Sequence, residues 1–404
     1  MIDFSAFQIS DAISIIVFWV YAFYLSYMLS KRGYFFFYLF LFLALLHFVA
    51  TVIYIPNGKD SIKYFTISYN LNLASQNPTI DQGSNFVYFF TYFLIRVFNL
   101  SYTGCYFVYS FFGLTGYYFI INTIFYLIKK YELYYKKELF YILLLPGLHY
   151  WNVALGKDSI MFFSIALFFS GVIRKNIIWI VVGASIIGII RSPILVLFVA
   201  GIIAGYILMN KKVSLVQKGL FMISGIVLII LLIPLVQARL GKLQSVDFDG
   251  VNDYIDYRLT LLQGKGAYID MSNASPPVKL IGFLFRPFFY DARDWRTLAS
   301  SFENIVWLSM VIFVFKNLRK KLTNTQYAGI YGMLFFSFII AATAHSTTLT
   351  NLGIAVRMKT MYFIPLYILL FLSYDFRIGQ MIGKNKGNEF NIFKELQMAQ
   401  QNPQ

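Results

Sequence analysis

Only one cysteine, Cys105, occurs in 404 residues, and it lies in an apolar run. That excludes a disulfide framework and a cysteine-based metal site. Charged residues are scarce at 13% against 59% hydrophobic, far from the balance of a soluble domain. A P-loop, a Rossmann glycine fingerprint, a nucleophile elbow and an HExxH zinc motif are also missing. The N-terminus, Met1-Ile-Asp-Phe, has no basic region and no small-residue cleavage site close behind its apolar stretch. The first helix therefore reads as a retained span rather than a signal peptide. No internal repeat, heptad pattern or low-complexity linker interrupts the chain.

What is present is apolarity, in runs of about twenty residues, each long enough to cross a bilayer. The runs are continuous rather than alternating, which excludes a β-barrel and leaves an all-α polytopic membrane protein. The first runs cover 11–30 and 34–55. The net charge of +16 fits basic inner loops rather than nucleic acid. Placing Lys31-Arg32, Lys129-Lys130, Lys136-Lys137, Arg174-Lys175, Lys211-Lys212 and Lys316 through Lys321 in the cytoplasm predicts about eleven transmembrane helices. The N-terminus is then outside and the C-terminus inside. A transmembrane domain over 1–376 is followed by an Asn-, Gln- and Lys-rich cytoplasmic tail, 377–404. Two long outer loops, 56–101 and 238–300, carry Phe86–Leu100 and Leu280–Tyr290, which read as interfacial or re-entrant helices.

Two breaks in the apolar pattern organise the rest. Pro146-Gly interrupts one run and is followed by Trp151-Asn152 and by Gly156-Lys157-Asp158. The second break runs from His345 through Asn351 and Gly353 to Arg357 and Lys359. On this topology both lie on the outer side, together with Arg191 and Arg286-Pro287. Outward cations run against the positive-inside bias, and an ionisable group at membrane depth costs roughly 2.5–3.5 kcal/mol on insertion scales. Lys157, Arg191, Arg286, Arg357 and Lys359 each adjoin a helix break and suit an anionic ligand such as phosphate or pyrophosphate.

Acids on the same side are candidates for a general base or an orienting partner. Asp158 and Glu303, at membrane edges with Glu303 beginning a span, are favoured; Asp60 in the first outer loop and His345 are further candidates. Asp291 and Asp294 read as solvated loop acids. Asp247-Phe-Asp249, with Asn252, Asp253 and Asp256, superficially offers a metal site. It lacks the ligand spacing of a calcium loop, so it reads as a loop helix and no metal is expected. Aromatic residues make up 20% of the chain, mostly core and interfacial belt; Tyr150, Trp151 and Trp295 are placed to stack on sugar rings.

Taken in order, these elements resemble the integral-membrane polymerases of bacterial surface polysaccharides, the Wzy and EpsG type. The likeness runs over roughly 50–370. It begins with Asp60-x3-Tyr64 and continues with Trp151-Asn152-x3-Gly156-Lys157-Asp158. Arg286-Pro287 and Phe302-Glu303-Asn304 come next, and Asn351-x-Gly353-x3-Arg357-x-Lys359 closes it. Arg191 and Gly201 fall one residue short of the Arg-x10-Gly spacing of some O-antigen polymerases. The resemblance implies a GT-C-like glycosyltransferase with its active site on the outer, periplasmic face of the bacterial inner membrane. It implies transfer of a growing glycan from undecaprenyl pyrophosphate to a hydroxyl of another lipid-linked repeat unit, as in O-antigen (lipopolysaccharide) or capsule biosynthesis. No dissociable cofactor is implied, and the partners are the lipid-linked oligosaccharide and membrane lipids, with a chain-length regulator brought into view. Asp60 becomes the leading base ahead of Asp158 and His345, the five cations bind pyrophosphate, and Tyr64, Asn351 and Glu303 orient. An O-antigen ligase, another lipid-linked glycosyltransferase, or a flippase of the same oligosaccharide are the alternatives.

Overall fold

In the computed structural model the described residues are 8–71, 83–209, 214–240, 248–262, 268–269, 271, 273–292, 294–324, 327–348 and 351–384. Among them every regular element is a helix, apart from an isolated antiparallel bridge between Tyr268 and Asn351. The α-helices are α1 (Ile9–Ser30), α2 (Tyr34–Tyr54), α3 (Lys59–Asn70), α4 (Ser84–Phe98), α5 (Tyr102–Tyr131), α6 (Pro146–Asn152) and α7 (Lys157–Arg174). They continue with α8 (Ile177–Met209), α9 (Leu215–Leu240), α10 (Phe248–Leu262), α11 (Pro276–Phe285), α12 (Trp295–Asn324), α13 (Ala328–Ser346) and α14 (Leu352–Lys384). Among the described residues eight helices are long and apolar enough to cross a membrane. A ninth span is formed if α6 and α7, bent by 109° at the 153–156 break, are taken together. The protein is thus a multi-pass helical membrane protein, with eight or nine such spans where the sequence led us to expect eleven. Phe86–Leu100 and Leu280–Tyr290 become the short apolar helices α4 and α11. The expected loop helix near Asp249 is α10; Asp247 and residues 385–404 of the tail lie outside the described residues.

The chain divides into two compact units, Met1–Phe163 with Tyr374–Gln404, and Ser164–Ser373. In the first, α1 and α2 turn back on one another at Gly33, whose φ of +118° only glycine adopts without strain. Phe18 joins the helices through ring contacts to Phe48 on α2 and to Phe107 and Phe111 on α5. Asp11 is fully buried at the N-terminus of α5, where its Oδ1 accepts from the Gly104 amide at 3.0 Å and from the Ser101 hydroxyl. A carboxylate there meets the donor-rich, positive end of the helix. Thr91 and the Tyr109 hydroxyl, 2.9 Å apart, fasten α4 to α5.

In the second unit α8 and α13 lie backbone to backbone. A Cβ on Gly201 would overlap the main chain at Ser337, and one on Gly205 would overlap Gly332. Two glycines four residues apart let membrane helices approach this closely, which accounts for Gly201 by packing. Pro193 lies inside α8, two residues after Arg191, whose φ of −147° and ψ of 70° leave the helical region. A proline inside a helix removes a donor and crowds the preceding turn, so the kink falls where the sequence places it. Tyr331 ties three helices together, with its hydroxyl 2.8 Å from Ser373 Oγ on α14 and donating to the Val314 carbonyl of α12.

Candidate functional site

Four of the expected site residues lie on two neighbouring elements of the first unit. Asp60 is exposed in the first turn of α3, and Tyr64 follows one turn later on the same face. Gly156 comes so close to the Tyr64 ring that a Cβ added there would stand 3.3 Å from it. Lys157 and Asp158 follow at once as the opening turn of α7, 7% and 1% exposed. The Asp60-x3-Tyr64 element and the Gly156-Lys157-Asp158 element are therefore neighbours. Asp158 suits the positive end of its helix, whereas Lys157 gains nothing from it. Tyr150 and Trp151 on α6 form an aromatic group with Tyr54, whose ring centroid is 4.6 Å from that of Tyr150.

The second unit gathers the others around α14. Lys359 is 3% exposed, and its Nζ donates to Asn304 Oδ1 at 2.6 Å and to the Arg286 carbonyl at 3.3 Å. The Asn304 amide donates in turn to the Pro287 carbonyl at 2.8 Å. Glu303 is near enough to act on Lys359 electrostatically, and the Trp307 ring centroid is 6.0 Å from Nζ. Three of the sequence elements, Arg286-Pro287, Phe302-Glu303-Asn304 and Arg357-x-Lys359, thus converge on one amine. Two placements differ from expectation. Glu303 lies inside α12 rather than at its start, because that helix already begins at Trp295. Arg357 and Lys359 lie inside α14, which begins at Leu352.

Arg286 follows the C-terminus of α11, across a cis peptide bond from Pro287. Its guanidinium grips Asp291 with both arms, Nε to Oδ2 at 3.0 Å and the second arm to Oδ1, while Asp291 Oδ2 also accepts from the Phe288 amide at 2.8 Å. Asp291 is accordingly no solvated loop acid, since its side chain is 7% exposed and holds the turn together. The hydrogen bonds to Asp291 hold the guanidinium above its already high ordinary range, so it stays charged at any working pH. Asp294, exposed, caps α12 by accepting from the Thr297 amide at 2.8 Å.

About one turn further along α14, Tyr362 stands three residues beyond Lys359 with its hydroxyl 2.7 Å from His345 Nδ1. Arg191, freed from the helical path by the α8 kink, is near enough to act on Tyr362 electrostatically. Phe198 and Phe283 flank the Tyr362 ring at 6.3 and 5.8 Å. Tyr362 and the Asp291 partnership are absent from the sequence reading. A tyrosine in an apolar span resembles any other aromatic, and an acid five residues past an arginine resembles any loop acid. Arg357 is half-buried in the second turn of α14, and Asn351, half-buried just before the helix, caps it by accepting through Oδ1 from the Ile354 amide at 3.2 Å. The geometry of the second unit therefore offers a rigid, part-buried set of cations and one imidazole–phenol pair. Comparison with protein-family models, with characterised proteins and with solved structures returned no match for this chain.

Proposed function

We propose that the chain is a polymerase of a bacterial cell-surface polysaccharide, a GT-C-like glycosyltransferase of the inner membrane acting at its outer face. The substrates on this reading are two undecaprenyl-pyrophosphate-linked glycans, one the donor of the growing chain and the other the acceptor. The observation that supports it is the Lys359–Asn304–Arg286 constellation. A lysine buried in a membrane span is costly to place, and here two neighbouring elements are shaped around its Nζ. The two acceptors use two of the three N–H donors that a lysine ammonium carries.

In the reaction the bond between the sugar's anomeric carbon and the pyrophosphate oxygen breaks while the acceptor oxygen bonds to that carbon. The acceptor proton passes to a base, and the pyrophosphate leaves as the lipid-linked anion. Cations fixed in advance stabilise the charge that grows on the leaving oxygen. Arg191, Arg286, Arg357 and Lys359 of the second unit fill that role; Lys157, in the first unit, is assigned to pyrophosphate by the resemblance. The acceptor proton needs a carboxylate or imidazole within hydrogen-bond reach. His345 is the candidate sharing a unit with four of the cations; Asp60 and Asp158 are the candidates of the first unit, with Asp60 leading by resemblance. Tyr64, Glu303 and Asn351 position these groups.

The test is a gel of surface polysaccharide from a deletion strain, complemented with the wild-type gene or with Lys359→Met. A lost ladder with a single repeat still on its anchor, restored by the wild type and not by the variant, is the expected result. Loss of the single repeat as well points to a flippase or ligase. An unchanged ladder overturns the proposal.

A further inference from the structure

His47 of α2 and His149 of α6 are 0% and 1% exposed, and their Nδ1 atoms stand 3.1 Å apart. Each ring is committed at its other nitrogen. His47 Nε2 lies 3.1 Å from the Ser110 carbonyl of α5, and His149 Nε2 lies 3.0 Å from the Leu143 carbonyl of the 3-10 helix Lys137–Leu144. A carbonyl oxygen only accepts, so both Nε2 atoms must be donors. A neutral imidazole has a single N–H, and both rings have then used theirs. Two lone pairs would face each other at hydrogen-bond distance, which is repulsive. One added proton turns that clash into a charge-assisted N–H···N bond.

The surroundings suit a delocalised cation. The Tyr117 ring of α5 stacks on His149 with centroids 4.8 Å apart and meets His47 edge-on at 5.8 Å. Thr51 of α2 donates to the His47 carbonyl at 2.8 Å and reaches Ser110 Oγ at 3.1 Å, and Phe162 of α7 lies against Tyr117. Among the described residues Tyr117 is the titratable side chain whose ring meets both histidines; Lys137 and the exposed Glu138 stand at the opposite end of the 3-10 helix from Leu143. A metal ion bound by both Nδ1 atoms would need further ligands, and among the described residues no group of three His, Cys, Asp or Glu converges.

We propose that His47 and His149 form a buried proton-binding site, with one proton shared between their Nδ1 atoms, that clasps α6 to α2 and α5. Because α6 leads directly into the Gly156-Lys157-Asp158 break, the clasp makes the position of that break sensitive to pH. The contribution of the shared proton to stability is present while the pair holds it and is lost as pH rises through its release.

The direct test is ring-nitrogen NMR of the full-length chain in lipid nanodiscs, with isotope-labelled histidine in a His345→Gln background that leaves only this pair of the three histidines. The expected result is one proton bridging the two Nδ1 atoms, lost from both rings in a single step as pH rises, with both Nε2 atoms protonated throughout. No shared proton at any pH, or signals that move with zinc and return with a chelator, overturns the proposal. A second measurement uses His149→Asn, whose amide can donate to His47 Nδ1 without an added proton. The wild-type melting temperature should fall by a few degrees across that step while the variant's stays level. An equal fall in both overturns the clasp, and the NMR result stands alone if the variant does not fold.

Discussion

Lys359 and Asn304 are separated by fifty-five residues in sequence, yet Nζ and Oδ1 lie 2.6 Å apart. The contact joins α14 to α12, and the far side of the same Asn304 amide reaches the Pro287 carbonyl. One asparagine therefore positions a buried cation and holds the turn that carries Arg286. Such an arrangement separates charge from structure, and substitutions can tell the two apart.

Lys359→Met keeps the length of the side chain and removes the charge. Asn304 Oδ1 and the Arg286 carbonyl each lose a donor, at about 1–3 kcal/mol for a buried group left unsatisfied. Asn304→Asp retains an acceptor for Lys359 but sets a carboxylate against the Pro287 carbonyl and neutralises the amine toward any anionic ligand. Both variants should abolish the polysaccharide ladder, and Asn304→Asp, which keeps the acceptor for Lys359, should lose less thermal stability than Asn304→Ala, which removes both Asn304 hydrogen bonds. Gel filtration and melting in detergent measure the folded protein, and the ladder measures activity. Full-length polymer from Lys359→Met would remove this lysine from the pyrophosphate role.

How much of this arrangement could be read from the chain depends on what kind of signal each residue leaves. Arg286, Arg357 and Lys359 stand out because a cation beside a helix break is unexpected in an apolar sequence. Lys359 and the Arg286 carbonyl meet at Asn304. The Arg191 kink was legible through its neighbour Pro193. The partners were not: Asp291 and Tyr362 owe their roles to a turn and to a helix face that only tertiary structure fixes. The two buried histidines lie one hundred and two residues apart, each alone among apolar neighbours, and nothing local links them. Among the described residues eight or nine spans stand where eleven were expected, for a related reason. Apolar length alone does not tell the continuous but kinked α8 from two passes, or the bent α6–α7 pair from one.

Gly205 and Gly219 make a matched pair for testing the packing of the second unit. A Cβ at Gly205 would overlap the backbone of Gly332, while one at Gly219, in α9, would meet nothing within 4 Å. Gly205→Val should lower the melting temperature sharply, since overpacking costs roughly 1–3 kcal/mol and here the obstacle is main chain. Gly219→Ala should raise stability by roughly 0.5–1 kcal/mol, because alanine is the better helix former where space is open. Thermal unfolding in the same detergent compares them. Equal effects would contradict the close approach of α8 and α13.

Asn152 separates stability from function in the other unit. It is fully buried at the end of α6, and among the described residues neither its amide nitrogen nor its amide oxygen has a hydrogen-bond partner. A buried polar group without a partner costs about 1–3 kcal/mol, so a residue chosen for packing alone would not be asparagine. Its main-chain carbonyl lies against Gly113, beside the His47 ring, four residues before Gly156 and the Lys157-Asp158 turn. Asn152→Leu keeps the branch at Cγ and the number of side-chain heavy atoms and removes the polar ones. It should melt higher than the wild type and give a shortened or absent ladder. Strain kept at a working site behaves this way, with stability and activity moving in opposite directions. A variant that melts higher with an unchanged ladder would make Asn152 a packing residue only. One that melts lower would mean that its amide is held in the folded protein after all, and the argument from burial would fail at its first step.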